Sequence, residues 1–138
     1  MNTKTIVGGL IGGVVFFLLG WLVWGFLLKD TMTSCTGCMR PEEDLMNMKT
    51  MVMAILSNLL YGIFLAWVLS KFAGVNSFST GLKNGALFMA LLGIAMDLGF
   101  YAYSTMFTSM SCMLIDIVLN IVMGGIVGGV IGWWFGRK

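Results

Sequence analysis

Ile6-Val-Gly-Gly-Leu-Ile-Gly-Gly-Val-Val-Phe-Phe-Leu-Leu-Gly-Trp-Leu-Val-Trp-Gly-Phe-Leu-Leu28 is twenty-three residues long and carries no charge. As a helix it covers about 34 Å, against a hydrocarbon core of about 30 Å. It is long enough to span. A secretory signal would be shorter and end in small residues, whereas this run passes through Trp21, Trp24 and Phe26 to Lys29-Asp30 and reads as retained. Further apolar runs follow at about 50–70, 84–103 and 112–135, each near the ~20 residues a helical span needs. Overall 59% of the 138 residues are hydrophobic and 10% charged, with a mean hydropathy of +0.95. Soluble domains carry roughly 25% charged residues, so the solvent of this chain is lipid. The expectation is an all-α, polytopic membrane four-helix bundle. It forms a single domain over 1–138, with helices at about 6–28, 41–70, 80–104 and 111–136 and an outer loop at 29–40.

An even number of spans puts both termini on one side. Lys4, Lys71, Lys83, Arg137 and Lys138 fall with the termini and the second loop, against Lys29, Arg40 and Lys49 in the first loop. The more basic side is normally cytoplasmic, which predicts N and C termini inside and loops one and three outside. Pro41 followed by Glu42, Glu43 and Asp44 has the form of a helix start, because proline lacks an N–H that would go unpaired there and carboxylates suit the positive end of the dipole. The second helix is therefore expected to begin near Pro41, and the third to be capped by Ser79 or Thr80.

There is no histidine. This removes histidine-ligated haem, the usual zinc sites and the Ser/His/Asp and Cys/His catalytic arrangements. The chain is read as non-enzymatic, with no catalytic residue, no cofactor and no nucleic-acid partner.

Glycine is abundant, at 19 residues, about twice the usual ~7%. In the last helix Cys112, Asp116, Asn120, Gly124, Gly128, Gly132 and Gly136 repeat at spacing four. Four residues overshoot one turn, so the row drifts and suits an inclined crossing. Ala54, Asn58, Gly62, Ala66 and Ser70 form a similar row in the second helix, and Ala86, Ala90, Gly93, Asp97, Tyr101 and Ser104 do so in the third. The first helix offers Gly8/Gly12 and Gly9/Gly13. Lipid supplies no hydrophobic drive for helix association, so small-xxx-small pairs carry much of the packing. Gly8 and Gly12 are expected at the depth of Gly124, Gly128 and Gly132, predicting close contact between the first and last helices. The same glycines would alternatively serve self-association.

If the third loop turns near Phe107, Asp97 and Asp116 lie at equal depth, about 14 Å below the apex by helix rise. Each costs on the order of 2.5 to 3.5 kcal/mol near a bilayer centre, so both should face the bundle interior. Asn120 is one turn deeper, and Asn58 can reach a similar level. The expected polar intramembrane cluster is Asp97, Asp116, Asn58 and Asn120. Two adjacent carboxylates share a proton or hold a metal or sodium ion. The plainer account is a hydrogen-bonded pair that fixes helix register.

Cys35, Cys38 and Cys112 fall on the expected outer side. In an oxidising periplasm Cys35 and Cys38 would close a disulfide, with Cys112 free or competing for either partner. With Met39 and Met32, Met46, Met48, Met106, Met110 and Met113 nearby, the cysteines also make a soft donor set suited to Cu(I). Methionine as apolar filler is the plainer alternative. The identity of any metal stays open.

Gly20-Trp-Leu-Val-Trp-Gly-Phe26 ends the first helix, Thr80-Gly-Leu-Lys-Asn-Gly85 opens the third, and Ile131-Gly-Trp-Trp-Phe-Gly136 finishes the last. Over most of its length the chain thereby resembles small bacterial four-span integral membrane proteins of unknown function. The resemblance implies the architecture and a multi-pass place in the bacterial inner (plasma) membrane; it brings no activity or site, and the C-x-x-C segment departs from it. The leading reading is an accessory or assembly subunit whose partners are the lipid bilayer and other membrane chains, or a second copy. Phe16, Phe17, Trp21, Trp24, Trp133 and Trp134 would anchor it at the interface or meet a partner. The alternatives are a cation, proton or copper transporter using the carboxylates, and a thiol-redox protein using the C-x-x-C.

Overall fold

The computed structural model describes residues 2–37 and 42–137. It is about 85% helical with no strand among the described residues, which makes the class all-α. The elements are α1 (Thr3–Leu22), α2 (Lys29–Cys35), α3 (Glu42–Leu45), α4 (Met48–Lys71), α5 (Phe78–Tyr103) and α6 (Met110–Gly136). Four helical stretches are long and apolar enough to cross a membrane: α1 with its extension to Leu27, α4, α5 and α6.

Local chemistry explains where these helices begin. The Asn2 side chain accepts from Thr5 N, so α1 starts three residues before the uncharged run. At its far end the chain widens into a π turn, Val23–Leu27, closed by Leu28 N donating to Val23 O. The expected start of the second helix at Pro41 is corrected. Pro41 itself is outside the described residues, the turn α3 ends at Leu45, and the long helix begins at Met48. The cause is Asn47, whose extended backbone and side-chain oxygen cap the new helix by accepting from Lys49 N. The outer loop likewise contains the short helix α2.

The cap expected at Ser79 or Thr80 belongs to Ser77. Ser77 Oγ accepts from Thr80 N, and Thr80 Oγ1 accepts from Ser77 N, a reciprocal capping box. Before it, Gly74 takes φ +56°, and the turn lets Val75 N reach Leu69 O and buries Val75 in the core.

Packing follows the small residues. α5 and α6 run antiparallel with two spacing-four rows face to face. Gly132 lies against Gly81 and the Ser77 carbonyl, Gly128 against Gly81 and Gly85, Gly124 against Gly85 and Met89, and Asn120 against Gly93. A Cβ on Gly128 would stand 2.7 Å from Gly85 Cα, so the backbones approach as only glycine allows. The row expected on the third helix is corrected in its first half: Gly93 and Asp97 lie in the seam and Ala86 borders it against Gly125, but the tight partners of α6 are Gly81, Gly85 and Met89.

The glycine pairs of α1 divide by face. Gly9 and Gly13 press on Ile63, Leu59 and the Asn58 carbonyl of α4, while Gly8 and Gly12 receive Trp134, Phe135, Ile131 and Val127 of α6. The first and last helices therefore touch as expected but not glycine to glycine, because α5 already occupies the Gly124, Gly128 and Gly132 face. α6 is the hub. Of its apolar window 44% is buried, against 22% for each other span. Leu65, Ala66 and Leu69 of α4 meet Val127 and Ile131 of α6 in the larger core cluster.

Both ends of the chain meet at one end of the bundle, where Trp134 Nε1 donates to Lys4 O and Lys4 Nζ to Arg137 O. Replacing Gly128 by leucine should force α5 and α6 apart and lower stability by about 1–3 kcal/mol or more. Gly99 has open space where a Cβ would stand, so Gly99→Ala should be neutral or stabilising by up to about 1 kcal/mol. Unfolding of both variants in bicelles checks the contrast.

Candidate functional site

The row that joins α5 to α6 turns polar as it leaves the glycines. After Gly93 comes Asp97, and after Asn120 comes Asp116. These are the next rungs of the same ladder, and the two carboxyl groups lie side by side. Asn120 Nδ2 donates to Asp116 Oδ2 at 2.6 Å along one helical turn. Asp97 is only 6% exposed, and among the described residues its Oδ2 has no hydrogen-bond partner.

Three of the four expected members of the cluster thus come together. The fourth does not. Asn58 turns its amide onto its own helix, donating to Ala54 O at 2.8 Å, while its backbone carbonyl packs on Gly13. An asparagine facing a glycine-tight crossing has little room to reach further and satisfies itself locally. Tyr61, which sequence reasoning did not single out, holds that side of α4 to α5 instead. Its hydroxyl donates to Met89 Sδ at 3.0 Å and its ring packs on Phe16 at 5.3 Å between centroids.

Beyond the acids, at the end opposite the termini, the first and third loops are tied together. Cys35 is disulfide-bonded to Cys112, at a sequence separation of 77. Gly37 N donates to Met106 O, Thr108 N to Cys35 O, and Thr36 pairs with Phe107 in an isolated antiparallel bridge. The Thr108 hydroxyl adds a bond to Ser34 O. Under this lid lies a cluster of Cys35, Phe107, Cys112, Met113 and Ile117, flanked by Trp24, Leu28 and Ile121.

The expected Cys35–Cys38 disulfide is therefore corrected to Cys35–Cys112. Ser109 caps α6 by accepting from Cys112 N. That places Cys112 in the first turn beneath α2, where two helix ends meet. Cys38 and Met39 lie outside the described residues. With Cys35 and Cys112 at 5% and 7% exposure and oxidised, neither offers a thiolate to a soft metal. Among the described residues no three Cys, Asp or Glu side chains converge.

The aromatics divide too. Trp24 and Phe16 pack inward on the two core clusters, and Trp134 is spent on Lys4 O. Trp133 is exposed beneath the Arg137 guanidinium, 4.4 Å from its ring centroid, and Trp21 is 63% exposed. These last two have the placement of interfacial anchors.

Compared with family models, with curated proteins and with solved structures, the chain matches none of them. Its chemistry rests on the residues themselves. Alkylation of the intact protein should add one group without reductant and three after reduction, given three cysteines and one Cys35–Cys112 bond. Cys112→Ser should free Cys35 to alkylation and lower stability by about 2–4 kcal/mol. Intact mass and bicelle unfolding measure both.

Proposed function

We propose that this chain is a non-enzymatic multi-pass protein of the bacterial inner membrane that serves as an accessory or assembly subunit, packing against other membrane chains. The observation that carries the reading is how the surface is divided. Small and polar residues are spent inside the bundle, on the α1–α4 and α5–α6 crossings, and the outward faces hold large apolar side chains such as Leu60, Leu87, Leu91 and Val118. What such a body offers its neighbours is shape within lipid. With the glycine faces occupied from within, self-association through them gives way to contact through these outer side chains.

Orientation follows from two independent supports. The Lys and Arg count favours termini in the cytoplasm. The Cys35–Cys112 bond sits at the opposite end and persists in an oxidising compartment, which favours that end facing the periplasm. The thiol-redox reading loses ground, since Cys35 is engaged with Cys112 and buried.

A photo-crosslinking side chain at Leu87 or Leu91, which are 60% and 66% exposed on successive turns of α5, should yield one discrete protein adduct in native membranes. The same probe at Leu65, buried in the core, should yield none. Adducts to lipid alone, together with a monomer extracted without companions in native mass measurement, would sink the proposal.

A further inference from the structure

Asp97 and Asp116 are chemically unequal. Asp116 has a fixed amide donor, since Asn120 Nδ2 holds its Oδ2. Asp97 has none at Oδ2, although it is the more deeply buried of the two and lies beside the other carboxyl. A carboxylate is stabilised by donors, whereas an acceptor oxygen buried without one loses its hydration uncompensated. Two carboxylates side by side in a low-dielectric interior add repulsion to that loss. A single proton resolves both difficulties.

We propose that Asp97 and Asp116 form a proton-binding site that holds one shared proton, with Asp97 the carboxylic acid donating to an ionised Asp116. Taking up the proton converts two carboxylates into one acid hydrogen-bonded to one carboxylate. Releasing it to water restores the pair of anions and leaves no other bond changed.

Among the described residues of the four long helices, no cationic side chain stands beside the pair. On α6 the neighbour is the neutral Asn120. On α5 the nearest titratable group is Tyr101, and Lys83 lies at the far end of the helix. On α4, Tyr61 is engaged with Met89, and Lys49 and Lys71 stand at the two exposed ends of the helix. α1 carries no titratable residue between Lys4 and Lys29. The inference is independent of whether the chain serves as an assembly subunit.

Infrared difference spectroscopy of the full chain in bilayers reads the proton directly. At neutral pH the wild type should show a protonated-carboxyl C=O band that shifts in heavy water. Asp97→Asn should abolish the band, because the introduced amide and that of Asn120 then both donate to Asp116 and keep it ionised. Asp116→Asn should keep the band at an altered frequency. Helical content and the intact Cys35–Cys112 mass verify that both variants fold, and the wild-type spectrum stands without them. Absence of the band in the wild type would overturn the inference. So would its survival in Asp97→Asn with loss in Asp116→Asn, or its removal by sodium at constant pH, which would assign the site to a metal cation.

Discussion

In lipid, helices gain nothing by hiding apolar side chains from one another, so what holds this bundle is the approach of one backbone to another. That approach is concentrated between α5 and α6, where glycine meets glycine or a neighbouring backbone from Gly132 to Gly124. Every other contact is arranged around it. α1 and α4 close their own crossing through Gly9, Gly13 and Gly62, then lean on the opposite side of α6, whose Ile131 and Val127 insert against Gly12. The hub helix is thus clasped by backbone on one side and by branched side chains on the other.

The same ladder sets the place of the acids. Because the rows advance four residues at a time on both helices, the rung after Asn120 and Gly93 brings Asp116 and Asp97 together without any loop or bend to aim them. A close-packed glycine seam lies on the level below, and the disulfide-tied loops lie on the level above. The polar pair is therefore enclosed by geometry that exists for packing, and its chemistry follows from that enclosure.

Much of this was legible in the residues, and the failures have common causes. The four apolar stretches, the paired depth of Asp97 and Asp116, and the small-residue row of the last helix all follow from periodicity and rise, which depend on one helix at a time. The partner of that row did not follow. Gly81 and Gly85 lie in the first turns of α5, beside Lys83 and Asn84 and ahead of the uninterrupted apolar run, and Met89 does not look small. Asn58 sat on a plausible row, but the row was consumed by α1, so its amide turned back to Ala54. The cysteine pairing depends on how α2 folds over the start of α6, and proximity in sequence favoured Cys38 instead. Capping differed for a local reason: Asn47 and Ser77 start the long helices because their side chains reach backbone N–H groups two and three residues on.

The joining of Lys4 to Trp134 and Arg137 makes the polypeptide path almost a ring. A short linker there would fuse the ends, and new ends opened at the Gly74 turn would leave all four crossings intact while reordering the helices as α5, α6, α1, α4. Each hairpin would then enter the bilayer in the opposite sequence. The bundle is in this sense indifferent to the order in which its halves are written.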